Sequence, residues 1–293
     1  MDLTILIISY KSLEKLTKCL TTIGKKRNIL IVENSNDTSL KNNIEKDYKN
    51  SRVILNNSNL GYAKAANIGF KNIHTKYALL LNTDIIIHES QIEDLEIEIE
   101  KLGNDFTLAS PMTNDLLDFI KNNRFDNYFD NQIPLFDPKK NTTQVELIKG
   151  CSLVVNLSKF NSKDVFDNNY FFFFEEIDLC RRIKKNKENI YVFNQIIIEH
   201  KSAQGLDEKL DYKYSNFRHW NFFWGKFYYF KKHYGFTSSL LKHFGKLIRF
   251  GFNTLRFYFV SDGEFQKNKY RFLGLLNSIL GRYSSLSNKI LEK

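Results

Sequence analysis

Residues 78–87, ALLLNTDIII, decide the fold, because an apolar run ends at polar Asn82 and Asp84 before apolar residues resume. Such a run predicts a strand buried on both faces. In a second stretch, residues 171–182 (FFFFEEIDLCRR), three carboxylates follow an aromatic run: Glu175, Glu176 and Asp178. Open α/β folds build ligand sites where strand ends meet at one edge of a sheet. Our first hypothesis is therefore an enzyme for a sugar nucleotide or another phosphate-bearing ligand.

The first half of the chain alternates strand and helix patterns, as a parallel sheet requires. Right-handed crossovers would bring the strand ends to one edge. Predicted strands cover residues 3–8, 28–32, 53–55, 77–81, 151–155, 191–193 and 196–198. Predicted helices begin after Ser12 and cover about 63–73, 91–102 and 177–185. Residues 113–146, rich in Asn and Asp, are expected to form a long surface excursion.

Length and composition bound the class of protein. A chain of 293 residues can bury a sizeable core, which favours one large globular domain with an appendage. The 3 Cys residues form no CxxC or Cys/His pattern, so neither a disulfide framework nor a zinc site is expected. The sequence shows no leader pattern and no apolar run of about 18 residues. We therefore expect a cytoplasmic protein.

The net charge of +10 is unevenly placed. Residues 1–200 hold 26 Lys and Arg against 27 Asp and Glu, whereas residues 201–293 hold 17 against 6. A neutral body followed by a basic last third predicts a catalytic part joined to a segment that meets something anionic.

Seven segments in a fixed order carry a family resemblance: ILIISYKS, IVENSNDTS, NNSNLGYAKAANIGF, LLLNTDI, IKGCSLVV, FFFFEEIDLCRRI and IIIEHKS. In this order they resemble family-2 glycosyltransferases of the GT-A fold, close to the bacterial rhamnosyltransferase-like branch. The resemblance spans about residues 3–202. It implies a GT-A (Rossmann-like) nucleotide-sugar-binding catalytic domain, residues 1–205, with a mostly parallel central sheet. Residues 206–293 would form an aromatic and basic helical extension.

The resemblance also implies a reaction with two demands. Such enzymes transfer a sugar from a nucleoside diphosphate to an acceptor hydroxyl, so the departing diphosphate must be neutralised. The family usually uses a divalent metal, Mg²⁺ or Mn²⁺, and the last Asp of its motif, here Asp84. His200 matches a His that completes the metal site in some relatives, although a surface histidine at a strand end is the plain alternative. The commoner Asp-x-Asp form is Asn82-Thr83-Asp84 here, so one carboxylate is missing, but Asn82 can still bind the donor through a hydrogen bond to a ribose or to a metal-bound water.

The second demand is a base that removes the acceptor proton. Single displacement inverts the anomeric carbon and places this base opposite the diphosphate. The family usually has Glu-Asp-x-Asp where this chain has Glu175-Glu176-Ile177-Asp178, so Glu176 matches the base. Glu175 and Asp178 could orient the acceptor or bind Arg181 and Arg182. The alternative for the whole cluster is an acidic first helical turn favoured by the helix dipole.

The donor nucleotide is expected across the ends of the first strands. Positions that match family donor contacts are Ser9, Tyr10, Glu33, Asn59, Gly61, Lys64, Asn67 and Gly150. Glu33 replaces the usual Asp, Gly61 could be an ordinary turn glycine, and Gly150 could serve only strand entry. Uridine or thymidine diphosphate is the carrier that the resemblance implies, with rhamnose one possible sugar and a glycan or lipid-linked acceptor.

Beyond His200 the family resemblance weakens, and the sequence shows residue patterns only. Residues 212–230 are rich in aromatic side chains, for which core or lid packing is the expected role. Between 240 and 259 basic and polar residues recur at helical spacing: Lys242, Lys246, Arg249, Asn253 and Arg256. The opposite side is apolar: Leu240, Phe244, Leu247, Ile248, Leu255 and Tyr258. This pattern predicts either an interfacial helix at an anionic membrane surface or a helix packed on the domain with its basic face in water.

Three other classes of function are alternatives to a glycosyltransferase. A nucleic-acid-binding protein would explain the basic tail, but acidic strand ends would repel phosphates without a metal, so no nucleic-acid partner is expected. A non-catalytic module that binds a nucleotide sugar or glycan would keep the fold without the chemistry. A nucleotidyltransferase, the third class, would release pyrophosphate rather than a nucleoside diphosphate.

Overall fold

The computed structural model describes residues 2–124, 137, 139–201 and 208–292, with the backbone alone described at 121–124, 208–212 and 292. The strands are β1 Leu3–Ser9, β2 Ile29–Glu33, β3 Ser51–Leu55, β4 Tyr77–Asn82, β5 Ile85–Ile86, β6 Leu108–Thr113, β7 Thr142–Gln144, β8 Ser152–Asn156 and β9 Ile190–His200. The helices are α1 Leu13–Ile23, α2 Thr38–Asp47, α3 Tyr62–Lys71, α4 Glu89–Leu102, α5 Leu116–Arg124, α6 Glu175–Lys185, α7 Glu208–Tyr234, α8 Phe236–Phe257, α9 Asp262–Ile279 and α10 Asn288–Glu292.

One sheet organises the first part of the chain, in the order β3-β2-β1-β4-β8-β6-β9-β5, and β7 also pairs with β9. The first four strands in this order are parallel, and β8 is antiparallel to both β4 and β6. Parallel pairing resumes between β6 and β9. The predicted α/β fold with a central sheet and a helical extension is confirmed, and the sheet is mixed, with parallel pairing concentrated in β1 to β4.

Helices cover both faces of this sheet. Odd-numbered residues of β1, such as Ile5 and Ile7, belong to a buried cluster with Leu16 and Leu20 of α1. The same cluster includes three residues of α4: Ile92, Leu95 and Ile99. On the other face, Gly69 of α3 lies directly against Leu6. Because β1, β2 and β4 are buried on both faces, their sequences are nearly continuous apolar runs rather than alternating patterns.

The predicted surface excursion at 113–146 is partly wrong where the structure describes it, since it contains α5 and β7. Sequence patterns also missed β6 just before it, because Pro111 interrupts the LASPMT run and proline cannot donate to a strand ladder. The two short strands predicted at 191–193 and 196–198 are one continuous strand, β9. Pro111 pairs with Phe193 and Met112 with Ile197, so residues 194–196 form a bulge in β9. This bulge lies where the sequence predicted a break between two strands.

The chain divides into two compact units. The first comprises residues 1–60, 64–167 and 176–202, and the second comprises 61–63, 168–175 and 203–293. The predicted boundary after residue 205 lies outside the described residues, and the two short segments of the second unit were not predicted. In the second unit the aromatic residues of α7 form a core, as expected, and the buried ones are Phe217, Trp220, Trp224, Phe227, Tyr229 and Phe230. No helix in the described ranges combines the length and hydropathy needed to cross a bilayer.

Candidate functional site

A short strand pair brings Asp84 to His200. β5 follows Asp84 directly and pairs antiparallel with the end of β9, with Ile85 opposite His200. The backbone N–H of Lys201 donates to the carbonyl of Asp84 at 3.0 Å. As a result, Nε2 of His200 lies 3.6 Å from Oδ1 of Asp84, beyond hydrogen-bonding distance but within range of a charge interaction. Oδ1 of Asp84 is buried and has no hydrogen-bond partner among the described residues.

The other ring nitrogen of His200 faces Asp115, which follows the end of β6. Nδ1 of His200 lies 2.9 Å from Oδ2 of Asp115. The backbone N–H of His200 also donates to Oδ1 of Asn114 at 3.1 Å. Two consecutive residues therefore hold both the ring and the backbone of His200, which turns Nε2 towards Asp84.

Lys149 completes a four-residue charge cluster, the Asp84–Asp115–Lys149–His200 cluster. Its Nζ forms an ion pair with Asp115 and lies 3.0 Å from Nδ1 of His200. Burial alone would lower the pKa of His200, but the carboxylates of Asp84 and Asp115 outweigh it and raise that pKa above its usual value. Burial would raise the pKa of Asp115, but Lys149 and His200 lower it. The cluster thus holds two carboxylates and one fixed ammonium at the end of the sheet.

The cluster has too few protein ligands to enclose a divalent ion alone, but it suits an ion whose remaining ligands come from a bound phosphate and water. No set of three or more His, Cys, Asp or Glu side chains in the described part of the chain converges on one metal position. Asp84 and His200 nevertheless offer two donor atoms, one of them the carboxylate oxygen without a hydrogen-bond partner. Mg²⁺ characteristically takes one or two protein carboxylates and completes its shell with phosphate oxygens and water. Asn82 ends β4 two residues before Asp84, and its side-chain oxygen is buried and lacks a partner among the described residues.

Glu176 lies in the first turn of α6, with its side chain 8% exposed. Gly150 lies against this side chain, since a Cβ atom added to Gly150 would stand 3.3 Å from Cβ of Glu176. The two residues before Glu175, Phe173 and Phe174, both have positive φ, at 67° and 75°. Such consecutive left-handed aromatic residues are rare and strained, and they fix the backbone direction from which α6 begins. Glu175 belongs to the second unit, and its side chain is 5% exposed.

Asp178 is buried and forms an ion pair with Arg182. Its side chain is fully buried and accepts a hydrogen bond from Nε of Arg182 at 2.9 Å. Arg182 also donates from Nη2 to the carbonyl of Val165 at 2.6 Å. Of the two roles considered for Asp178, the structure therefore favours the ion pair within α6.

The ends of β1 and β2 form a buried polar corner. Glu33 is fully buried, and its Oε1 accepts hydrogen bonds from the backbone N–H (2.8 Å) and the hydroxyl of Ser35. Its Oε2 is buried without a partner among the described residues. Ser9 accepts the backbone N–H of Asn34 on its carbonyl at 2.8 Å, and its hydroxyl lies 3.2 Å from that of Ser12. Tyr10, next in the chain, is half-buried and carries Lys11 Nζ 5.5 Å from its ring centre.

The segment from Asn59 to Asn67 contains buried and exposed candidates. The amide of Asn67 is buried, donating to the carbonyl of Phe166 at 2.8 Å and accepting its N–H at 3.0 Å, and its contact with a donor stays a prediction. Gly61 has a φ of +83°, and a Cβ there would stand 2.6 Å from the carbonyl oxygen of Phe171, so the turn itself requires glycine. Lys64 is exposed on α3, and Asn59 is half-buried before it.

The model of the family described as "Glycosyl transferase family 2" matches residues 4–234. The chain belongs to glycosyl transferase family 2. The low-salt glycan biosynthesis hexosyltransferase Agl10 of Haloferax volcanii is 24% identical over 199 residues, which are 64% of this chain and 64% of that protein. The teichoic acid poly(glycerol phosphate) polymerase of Staphylococcus epidermidis is 35% identical over 118 residues, 38% of this chain and 16% of the polymerase. The chain thus matches less than two thirds of either relative.

Two solved structures resemble nearly the full length of the chain. S. aureus TarS 1-349 has a TM-score of 0.53 at 12% identity, covering 97% of this chain and 93% of TarS 1-349. The mannosyltransferase PcManGT from Pyrobaculum calidifontis, solved with GDP-Man and Mn²⁺, has a TM-score of 0.55 at 9% identity, covering 96% of this chain and 87% of its own. At such identities the likeness establishes the GT-A fold alone. The rhamnosyltransferase-like branch stays a prediction.

Sequence reasoning for this family-2 chain missed two members of the charge cluster, Asp115 and Lys149, and the neighbouring Asn114. A signal for Asp115 existed, since it lies two residues after the end of β6 as Asp84 lies two residues after the end of β4. Missing β6 hid it. Lys149 precedes Gly150 in the quoted IKGCSLVV segment, but a lone lysine before a strand gives no sign of its partners.

Proposed function

We propose that this chain is an inverting glycosyltransferase that transfers a sugar from a nucleoside-diphosphate donor to an acceptor hydroxyl. The observation that carries the proposal is the pairing of Asp84 and His200 at the sheet edge of a family-2 chain, with a buried carboxylate oxygen that lacks a hydrogen-bond partner among the described residues. Membership of the family supports the reaction class, and the side chains at the sheet edge support the roles proposed below.

Asp84 and His200 would hold a divalent ion, Mg²⁺ or Mn²⁺, against the donor diphosphate. When bound, the ion neutralises charge that develops on the departing diphosphate. Asp115 would keep the His200 ring oriented by accepting from Nδ1, as carboxylates commonly do beside metal-binding histidines. Lys149 adds a fixed positive charge to the same edge.

Glu176 would accept the acceptor proton as that hydroxyl attacks the anomeric carbon. Its support is its place at the start of α6, where the dipole favours the carboxylate before transfer. The contact with Gly150 limits the positions that the Glu176 side chain can take. Orientation of the base in this way is worth orders of magnitude in rate for well-placed groups.

The nucleoside would bind at the corner formed by Ser9, Tyr10 and Glu33, whose buried Oε2 can accept a hydrogen bond from a base or ribose. UDP or dTDP stays the carrier expected from the resemblance. Structures of the matching proteins contain UDP and UDP-GlcNAc in TarS 1-349 and GDP-Man in PcManGT, so GDP-linked donors belong in the test. Relatives in glycan and teichoic acid synthesis favour a cell-envelope polysaccharide or lipid-linked glycan as product, made at the cytoplasmic face of the membrane.

The decisive experiment is a panel of UDP-, dTDP- and GDP-sugars scored by release of nucleoside diphosphate, with Mg²⁺, with Mn²⁺ and with a chelator. We expect turnover with one donor class that needs the ion, and Asp84→Ala should weaken donor binding and remove the metal response together. Donor binding without turnover on any acceptor would indicate the non-catalytic module instead. Release of pyrophosphate would indicate a nucleotidyltransferase.

A chelator that leaves turnover unchanged would reject the metal while keeping the transferase. The diphosphate would then depend on cationic side chains such as Lys149.

A further inference from the structure

Helix α8 is buried along one side only. Ser239, His243 and Phe250 are buried, and the ring of Phe250 lies 4.7 Å from that of Phe223 in α7. The ring of His243 lies 5.8 Å from that of Phe227, also in α7. These contacts fix which face of α8 looks inward within the second unit.

The opposite face is apolar and exposed. Six residues at spacings of three, four, four, three and four positions, each between 54% and 91% exposed, form what we term the outer stripe: Leu241, Phe244, Ile248, Phe252 and Leu255 of α8 and Phe259 of the turn that follows it. Tyr258 and Val260 extend the outer stripe in the same turn, at 60% and 74% exposed. A contiguous apolar surface of this kind on a water-exposed helix marks an interaction site.

The outer stripe differs from the apolar face predicted from sequence. Leu240 and Leu247 of the predicted set are half-buried, whereas Leu241, Phe252 and Phe259 were not in it and are exposed. The helix is therefore apolar on two sides. The side with His243 and Phe250 packs within the second unit, whereas the outer stripe is exposed.

Basic residues lie along one flank of the outer stripe instead of opposite to it. Lys242, Arg249 and Arg256 are all exposed, about 100° around the helix from Ile248. Residues Phe236–Phe257 contain four basic residues and no Asp or Glu. The partner of this face must therefore tolerate or favour a concentration of positive charge beside an apolar surface.

We propose that the outer stripe and its basic flank dock on an anionic lipid bilayer, with the helix lying along the interface. Apolar side chains would enter the boundary of the acyl chains while Lys242, Arg249 and Arg256 meet lipid phosphates. A second copy of the chain suits the surface less well, because a symmetric contact would oppose two flanks of like charge. The proposal goes beyond the proposed function and does not depend on its catalytic residues.

The test measures partitioning of the full-length protein onto vesicles of phosphatidylcholine with about a third phosphatidylglycerol. We expect binding to these vesicles, weaker binding as salt rises, and little binding to pure phosphatidylcholine. Leu255→Ser with Phe259→Ser should lower the partition coefficient at least tenfold, since each lost side chain removes apolar burial. Arg249→Gln with Arg256→Gln should lower it about thirtyfold at low salt and much less at high salt.

A matched control removes exposed apolar side chains from the first unit: Ile97→Ser with Ile197→Ser, at 52% and 63% exposed. Partitioning of this variant should equal that of the wild type. Site-specific labelling gives an independent measurement, because the three native cysteines are buried and burial raises the pKa of each thiol to about 12. A polarity-sensitive fluorophore on Phe259→Cys should shift to the blue with anionic vesicles, and one on Ile97→Cys should not.

Three outcomes would overturn the proposal. The first is failure of the wild-type protein to bind anionic vesicles at low salt. The second is equal loss of binding in the Ile97 and Ile197 control, which would point to nonspecific adsorption. The third is a dimer in sedimentation equilibrium that Leu255→Ser with Phe259→Ser converts to monomer without vesicles, which would make the outer stripe a contact between copies.

Discussion

Nδ1 of His200 lies 2.9 Å from Oδ2 of Asp115, on the side of the ring away from Asp84. This relationship decides which nitrogen is left for a ligand. With Nδ1 engaged by a carboxylate, Nε2 is the atom that can face a cation beside Asp84. Asp115 is therefore a positioning residue in the proposed metal site, although it is not placed to bind the ion itself.

The first prediction tests that role. Asp115→Asn should lower the affinity for Mn²⁺ in the presence of a nucleoside diphosphate by about 10-fold to 100-fold, because the ring loses its charged acceptor. Titration calorimetry or Mn²⁺ paramagnetic resonance measures this without turnover. Asp94→Asn, which changes an exposed carboxylate on α4, is the control. Unchanged Mn²⁺ affinity in Asp115→Asn would remove Asp115 from the site.

The second prediction concerns the base. Glu176→Gln should reduce kcat by about 10²-fold to 10⁴-fold, because the neutral amide cannot take the acceptor proton. Donor affinity, measured by equilibrium binding, should stay within about twofold. Glu14→Gln, an exposed position in an ion pair with Lys18, provides the matched substitution and should leave kcat unchanged. Near-normal turnover in Glu176→Gln would move attention to Glu175.

A third prediction uses the contact behind that base. Gly150→Ala places a methyl group 3.3 Å from Cβ of Glu176, so the side chain must move by a few tenths of an ångström. If Glu176 is the base, kcat should fall about tenfold while the KM for the donor changes little. A normal kcat in a correctly folded Gly150→Ala variant would count against Glu176 as the group in chemical contact with the acceptor.

The fourth prediction separates Asp178 from catalysis. Asp178→Asn should lower the free energy of unfolding by roughly 2 kcal/mol, because a buried charge-assisted hydrogen bond to Arg182 is weakened. Urea unfolding followed by circular dichroism measures the loss. Turnover per folded molecule should stay within about twofold of the wild type. A large loss of kcat with unchanged stability would restore a role in binding the acceptor.

The fifth prediction follows from His243 in the second unit. Burial lowers the pKa of His243 to about 4, although the hydrogen bond to the carbonyl of Ser239 opposes the shift. Between about pH 6.5 and 4 the unfolded chain therefore takes up a proton that the folded chain does not. Stability should fall with decreasing pH in this window, by up to about 1.4 kcal/mol per pH unit for one proton, and should be unaffected above it.

His243→Asn keeps an N–H donor and cannot titrate, so it should reduce this slope. Tryptophan fluorescence during urea unfolding follows the second unit specifically, because both tryptophans, Trp220 and Trp224, lie in α7. His74→Asn, at an exposed position of the first unit, should leave the slope unchanged. An undiminished slope in His243→Asn would assign the acid sensitivity to other groups, with His219 the next to replace, since burial and nearby Arg271 lower its pKa to about 4.

Much of the first unit could be predicted from sequence because its parallel strands are continuous apolar runs with short connections. β1 and β4 are examples, and Asp84 was found because it follows one of them. The failure at β6 has a physical cause, since Pro111 breaks the strand pattern and the pairing that accommodates it involves residues about 80 positions later. No local pattern carries that information.

The candidate site was predicted unevenly for a similar reason. A residue type at a strand end can be recognised locally, as with Glu33 and His200. The side chains that contact such a residue cannot be recognised locally, because Asp115 and Lys149 contact His200 from distant parts of the chain. Asn67 shows the same limit, because its place in a family segment did not reveal its two hydrogen bonds with the backbone of Phe166.

The bulge in β9 makes the site sensitive to the number of residues in the strand. Before the bulge Phe193 belongs to the main apolar cluster, and beyond it Ile198 does, so the inward-facing positions change from odd to even numbers across residues 194–196. His200 shares the parity of Ile198 and therefore turns inward. An insertion or deletion between the bulge and His200 would shift His200 by one position against its β5 partner and point the imidazole to the opposite face of the sheet. The number of residues between the bulge and His200 therefore decides whether Nε2 can face Asp84.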